Sequence, residues 1–394
     1  MELSRKHNSI SPSLTLAISA KAKKMKEEGI DVISFSVGEP DFNTPENIRK
    51  AAIEAINRGN IGYTAASGMP SLKESICKKL KNENGLEYTP DQIIVSNGAK
   101  HSLYNIFQAI CNEGDEVIMA SPYWVSYPEL VKMAGGVPVL VECSEENDFK
   151  FDVENLEKYI SKNTKAIILN SPSNPTGSVY TVEELEKIAQ IAIKHNIIVV
   201  SDEIYEKLVY DEVKHVSIAS LNDKIKDLTI VVNGLSKGYA MTGWRIGYTA
   251  SNKQIAKIMG NIQSHATSNP NTIAQYASIE ALEGDQSSIE LMRKEFDKRR
   301  KEMVQRVNNI KGLSCREPKG AFYVMVNISN VIGKEFNGKI LNSSMDVAEY
   351  LLEKAAVAVV PGICFGDDRY IRLSYATSLE NIIEGLNRIE KAIC

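Results

Sequence analysis

The sequence predicts an α/β fold: a large domain whose mostly parallel sheet is covered by helices, and a smaller α+β domain. Three observations carry this expectation. Short runs of β-branched and apolar residues alternate with helical patterns through most of the chain, which implies crossover connections and a sheet buried on both faces. From about Asn271 that alternation gives way to a long charged helical run followed by short strands. The chain has 394 residues, 43% of them hydrophobic, so it can bury a full core and is long enough for two domains.

Residues 1–44 read as an N-terminal arm and part of the small domain, 45–285 as the large domain, and 286–394 as the C-terminal small domain. Residues 45–58 form a helix with Thr44 as N-cap, Pro45 in the first turn and Gly59 as its stop. Strands at 92–96 and 116–120 flank a helix at 98–111 that Gly114 follows. The rhythm continues with a strand at 137–141, a helix at 153–161, a strand at 165–169, a helix at 182–195 and strands at 197–201 and 228–232. In the small domain, a long helix at 286–311 precedes strands at 321–327 and 370–374 and a final helix at 379–393. The sequence holds no Pro- or Ser-rich linker and no internal repeat, so the two parts pack closely.

Several function classes drop out. Lys and Arg total 46 against 50 Asp and Glu, a net charge of −4, which is no electrostatic footprint for nucleic acid. The apolar runs fall far below the roughly 18 residues a membrane span needs. Cys77, Cys111, Cys143, Cys315, Cys364 and Cys394 form no CxxC pair, the pattern of reduced thiols in a cytoplasm. The five histidines include no i, i+3 or i, i+4 pair, so no metal site is expected. Arg5, Lys6 and His7 ahead of residues 14–20 have some transit-peptide character, but Pro12 and hydroxyl residues break the apolar run and a Lys-rich stretch follows; an exposed arm leading into a first helix is the expectation. No GxGxxG follows a strand, and no P-loop or GxSxG elbow occurs.

The informative stretch is Asn233-Gly-Leu-Ser-Lys237-Gly-Tyr-Ala-Met-Thr-Gly-Trp-Arg245-Ile-Gly247, directly after an apolar strand. Lys237 therefore sits in a strand-end loop, where open α/β sheets place their ligands. A lysine among glycines and small residues suits a Schiff-base amine approached by a bulky cofactor, and Arg245 could hold a phosphate with its planar fork. Two further strand ends carry Asn170-Ser-Pro-Ser-Asn174-Pro-Thr-Gly177 and Asp202-Glu-Ile-Tyr205. Alone, the first would read as a turn and the second as a local helix cap. Their succession at three sheet ends argues against separate accidents.

Together these strings resemble class I pyridoxal-phosphate-dependent aminotransferases of fold type I, closest to the aspartate aminotransferase branch. The likeness runs from Ser36-Val-Gly38-Glu-Pro-Asp41 to Tyr370-Ile-Arg372-Leu-Ser374, with the 12–16 block also family-like. It implies that Lys237 holds the cofactor and moves the substrate proton, that Asp202 pairs with the pyridine nitrogen, and that Tyr205 and Asn174 bond the phenolic oxygen. It also implies that Trp124 stacks on the ring, and that Gly98, Ala99 and Lys100 at a helix start, with Ser236 and Arg245, cup the phosphate. Gly234 stands where many relatives carry a second serine. Tyr63 resembles the tyrosine that reaches the phosphate from a neighbouring subunit, implying a homodimer with shared active sites.

For the substrate, the resemblance makes Arg372 the partner of the α-carboxylate, with Gly38 in the segment closing over it. Lys100 resembles the lysine that contacts a distal carboxylate, which favours aspartate and glutamate with their 2-oxo acids. Ser11 offers no second cation for a bulkier dicarboxylate. The alternatives are a broad-range or aromatic aminotransferase, a lyase or decarboxylase on the same cofactor, and a non-enzymatic binding module. The last sits poorly with an acidic chain in which the family pattern starts almost at residue 1.

Overall fold

The computed structural model describes residue 10 and residues 14–59 and 61–394. Its centre is a seven-stranded sheet of β1 (Ile93–Ser96), β2 (Glu116–Ser121), β3 (Val137–Glu142), β4 (Thr164–Asn170), β5 (Ile198–Asp202), β6 (Thr229–Gly234) and β7 (Gly247–Ala250), in the spatial order β1-β7-β6-β5-β4-β2-β3. The pairs from β6 to β3 are parallel, and β7 alone runs antiparallel to both neighbours.

The two faces follow the period of two expected of strands. Val117, Met119, Ala166 and Ile168 pack under Leu103, Ile106, Phe107 and Leu130 on one side. Ile118, Ile167 and Leu169 pack under Leu185, Ile188 and Ala192 on the other. Helices on both faces leave only the strand ends open, and Asn170 pairs in register with Asp202 at the carboxyl ends of β4 and β5.

A four-stranded antiparallel sheet, in the order Val360–Pro361, Tyr370–Ser374, Tyr323–Asn327 and Ser314–Cys315, forms the second layer. Helices Ser287–Asn309, Ser344–Ala355 and Leu379–Ile393 accompany it. The N-terminal segment enters this unit: Ile33–Ser34 lies parallel to Val357–Ala358, and the Ser374 amide donates to the Phe35 carbonyl at 2.8 Å. That pairing carries Ser36 and Gly38 from one end of the chain to Arg372 near the other.

Two expectations are corrected. Residues 153–161 are not an α-helix but a single 3₁₀ turn, Leu156–Tyr159. Asp152 accepts from the Glu154 amide at 3.2 Å and from Asn155 Nδ2 at 2.6 Å, and such local side-chain bonds compete with the helical ladder. Thr44 is not the N-cap of Glu46–Arg58, which starts without a side-chain cap. Its hydroxyl instead donates to the Ala240 carbonyl at 2.6 Å and accepts from Trp244 Nε1 at 2.9 Å, pinning the loop after β6. Helices Pro70–Asn84, Lys253–Ala266, Thr272–Glu283 and Ser344–Ala355 and strand β7 are additional to the sequence expectation. Ser11 and residues 12 and 13 of the family-like block, like the basic residues 5–7, lie outside the described residues. Among the described residues, no helix is long and apolar enough to cross a membrane.

Gly247 allows β7 to lie against the start of helix Ala99–Ile110. A Cβ there would fall 2.3 Å from the Ala99 amide nitrogen and 2.5 Å from the Gly98 carbonyl carbon. Both are backbone atoms that cannot swing away. Gly247→Ala is expected to lower stability by about 1–3 kcal/mol, as for overpacked cores, read as a fall in thermal or denaturant midpoint; an unchanged midpoint would show that the close approach carries no cost.

Candidate active site

A cleft of about 310 Å³ opens at the carboxyl ends of β4, β5 and β6, closed on its far side by Tyr323, Phe365 and Arg372. Gly38, Ala99, Lys100, Trp124, Asn174, Asp202, Tyr205, Ser236, Lys237, Arg245 and Arg372 all line it. Gly98 stands directly behind, at φ +86°, where a Cβ would strike Arg245 Nη2 at 2.3 Å. Tyr63 is not brought to the cleft; it is 95% exposed on this chain.

Lys237 sits in the return loop between β6 and β7. The loop closes on itself through Leu235 N–H to the Ile246 carbonyl and Met241 N–H to the Ser236 carbonyl. The amine donates to the Gly38 carbonyl at 2.5 Å. Its pKa is lowered to about 8, chiefly by burial; Glu39 opposes this, and Arg372, Arg245 and Lys100 add to it. A lysine in this state is nucleophilic near neutral pH.

Asp202 closes β5 and is fully enclosed. Burial raises its pKa to about 6, although Tyr127 Oη donates to Oδ2 at 2.7 Å and the Ile204 amide to Oδ1 at 3.3 Å. A buried carboxylate whose two oxygens each accept one hydrogen bond keeps further lone pairs, or a proton, for whatever cationic or basic nitrogen enters the cleft.

Arg372 lies on the small sheet opposite Met325. Its Nη1 donates to Asn174 Oδ1 at 2.9 Å and its Nη2 to the Ser36 carbonyl at 3.1 Å, while the buried Nε has no partner among the described residues. The guanidinium lies 4.3 Å from the Tyr323 ring centroid and 4.9 Å from that of Phe365. A desolvated cation held by neutral acceptors, with a donor unmet, is poised for an anion. Asn174 is itself anchored, its amide donating to Asn170 Oδ1 at 2.9 Å.

At the other end of the cleft, Gly98 precedes helix Ala99–Ile110. The first-turn amides of any helix lack intrahelical acceptors and favour negative charge. Arg245, in the left-handed region at φ +57°, donates to the Thr242 carbonyl at 2.7 Å, and Ser236 adds a hydroxyl to the same wall. A Cβ on Gly234 would lie 2.9 Å from the Ile246 carbonyl oxygen and 3.0 Å from Gly247 Cα. The close pairing of β6 and β7 therefore excludes a side chain at 234. Lys100 Nζ stands 4.9 Å over the Trp124 ring, and burial, with Arg245 nearby, lowers its pKa.

Sequence reasoning missed Tyr127 and Tyr323. Tyr127 follows Trp124 by three residues, a helical spacing that was available as a signal. Tyr323 lay in an apolar strand and gave none. Glu203, Glu206 and His215 bring ligand-type atoms within 4.8 Å of one another, yet they are already paired. Lys79 bonds Glu206, and His215 Nε2 lies 3.0 Å from Glu203. Burial disfavours the His215 cation, but Glu203 together with Glu206 raises the pKa overall. The group is an internal ion-pair network under the site.

Comparison with known proteins gives the family and the fold. A family model described as aminotransferase class I and II matches residues 30–389. The chain is 51% identical to an aspartate aminotransferase of Bacillus sp. (strain YM-2), over 99% of each chain. It superimposes on the aspartate aminotransferase of Rhizobium meliloti with a TM-score of 0.96 at 43% identity, covering 100% and 99% of the two chains. The aspartate aminotransferase of Thermus thermophilus with maleate gives 0.94 at 42% identity, over the whole of both chains. The chain belongs to the aminotransferase class I and II family.

Proposed function

We propose that the protein is a pyridoxal-phosphate-dependent aminotransferase that moves the amino group of L-aspartate to 2-oxoglutarate, giving oxaloacetate and L-glutamate. The observation that carries this reading is the cleft itself: a nucleophilic Lys237 amine and the buried Asp202 carboxylate face a space whose ends are cationic, Arg245 at one and Arg372 at the other. That donor set fits the cofactor, with anion-binding amides and Arg245 for a phosphate, a carboxylate for a ring nitrogen, and an unmet Arg372 Nε for a substrate carboxylate. When bound, the cofactor supplies an aldehyde for covalent capture of the amine and a ring that draws electrons from the substrate Cα.

The chain's own residues do the rest. Ala99 and Lys100 amides, Ser236 and Arg245 hold the phosphate, and Trp124 covers one ring face. Asp202, oriented by Tyr127, keeps a proton on the ring nitrogen. Tyr205 and Asn174 donate to the phenolic oxygen. With the cofactor bound, the Lys237 amine would be its covalent anchor and, once released, would be the base that moves the proton at the substrate Cα. Arg372 grips the α-carboxylate while the Gly38 segment closes over it. Lys100 receives the distal carboxylate, and Trp124 and Asn174 flank the substrate.

The enzyme works in the cytoplasm as a homodimer, with Tyr63 of each subunit completing the phosphate site of the other. The exposure of Tyr63, together with exposed Ile53, Ile56 and Ile61 on the same segment, supports this pairing.

Three outcomes test the reading. Cofactor-loaded protein mixed separately with L-aspartate, L-glutamate, L-alanine and L-tyrosine should be bleached to the amine form rapidly by the first two and slowly by the others. Lys100→Ala should cut kcat/KM for aspartate about tenfold or more, as loss of a charge-assisted contact does, and leave alanine unchanged; equal losses for both contradict the assignment. In the cofactor-free protein, burial destabilises the Lys237 ammonium, so the free amine prevails above its midpoint. Acylation of Lys237, followed by peptide mass spectrometry, should therefore rise through pH 8 or so, against about 10.4 for exposed lysines. A midpoint above 10 would show an ordinary solvated amine.

A further inference from the structure

Tyr323 stands at the centre of the cleft wall. It begins strand Tyr323–Asn327 and pairs with Ser374. Its ring meets Tyr205 edge-on, with centroids 5.9 Å apart, and Phe322 at 4.7 Å. The Arg372 guanidinium covers its face. A Cβ on Gly38 would lie 3.0 Å from its hydroxyl oxygen, so the hydroxyl abuts the segment whose carbonyl receives Lys237 Nζ. The ring is held on several sides, and its hydroxyl lies 3.0 Å from the hydroxyl of Tyr205.

Either hydroxyl could donate in that bond, but a phenol carries one proton. If Tyr205 gives its proton to Tyr323, it has none for a ligand oxyanion in the cleft. If Tyr205 donates to such an oxyanion, its oxygen must accept from Tyr323. We propose that Tyr323 is a positioning residue that donates to Tyr205, so that the Tyr205 proton is committed to the phenolic oxygen of the cofactor. This rests on the function proposed above, in which Tyr205 faces that oxygen.

The surroundings support the direction. The charged groups around the pair are Arg372 on the small sheet, Asp202 at the end of β5 and Lys237 in the return loop; Lys237 Nζ is 6.0 Å from the Tyr205 ring centroid. Burial keeps both phenols protonated, but at Tyr323 it is opposed first by Arg372 and then by the Tyr205 hydroxyl, whereas Tyr205 is raised well above the ordinary range, so Tyr323 is the more acidic of the two and the better donor. A cation over its face also withdraws electron density and strengthens the O–H as a donor. Hydrogen bonds in series polarise one another, so the Tyr323 bond should make Tyr205 the better donor in turn.

The test is the pH titration of the visible absorbance of cofactor-loaded protein. A donor to the phenolic oxygen stabilises its negative charge most when the chromophore has lost its proton, so it lowers the midpoint. Tyr323→Phe removes only the hydroxyl and should raise the midpoint by about 0.5–1 pH unit, with kcat reduced and KM for aspartate little changed. Tyr205→Phe should raise it further, and adding Tyr323→Phe to that variant should change nothing more. Placing 3-fluorotyrosine at position 323, a stronger donor of nearly the same shape, should lower the midpoint; this arm decides the matter if Tyr323→Phe does not fold. An unshifted midpoint in both Tyr323 replacements, or a full further shift in the Tyr205→Phe background, overturns the proposal. If the wild-type protein forms no visible band with pyridoxal phosphate, the functional reading falls and this inference with it; a normal band with an unmoved midpoint removes the inference alone.

Discussion

The structure depends on keeping three buried ionisable groups apart. Lys237, Asp202 and Arg372 line one cleft, yet each is held by neutral groups: the Gly38 carbonyl, the Tyr127 hydroxyl with the Ile204 amide, and the Asn174 oxygen with the Ser36 carbonyl. Burying charges without mutual pairing is costly, and the cost shows in a lysine pulled down to about 8 and an aspartate pushed up to about 6. A fold optimised only for stability would let them neutralise one another. Here the electrostatic demand is left to a ligand with complementary charges, which is how a site can be pre-organised for both binding and proton movement.

The separation is maintained by topology. Asp202 ends a central strand, Lys237 rides on the return between β6 and β7, and Arg372 comes from a different sheet. The N-terminal segment laces the two layers together, because the strand pairing at Ile33–Ser34 delivers Ser36 to Arg372 and Gly38 to Lys237. Movement of the small sheet against the large one would change the Arg372 and Lys237 contacts together. That link gives a physical route by which substrate-carboxylate binding and the reactivity of the lysine could be coupled.

Much of this was legible in the sequence, for identifiable reasons. Strands β2, β4 and β5 announce themselves because each holds an unbroken apolar run, at 117–120, 166–169 and 198–200, that is buried in the sheet. Asp202 could be found because it ends β5, and Asn174 and Lys237 because they follow β4 and β6, at sheet ends where chain reversal and ligand binding coincide. Strand β7 was hidden: its four residues, Gly247 to Ala250, are short and mixed in polarity, and only pairing with β1 and β6 makes them a strand. Thr44 misled because its capping chemistry is spent on a tertiary contact with Ala240. Residues 153–161 misled because Asp152 and Asn155 offered the backbone a tighter local turn. Tyr323 could not be seen at all, since a tyrosine in an apolar strand reads as core until Tyr205 and Arg372 are placed beside it.

Under the proposed function one amine, that of Lys237, is the covalent anchor of this cleft. Reduction of the pyridoxal-phosphate-loaded protein with borohydride, followed by peptide mapping, tests it most directly. A single phosphopyridoxyl adduct is expected, on Lys237, with Lys100 unmodified although it lines the same cleft. An adduct on Lys100 or on surface lysines, with Lys237 unlabelled, would contradict it.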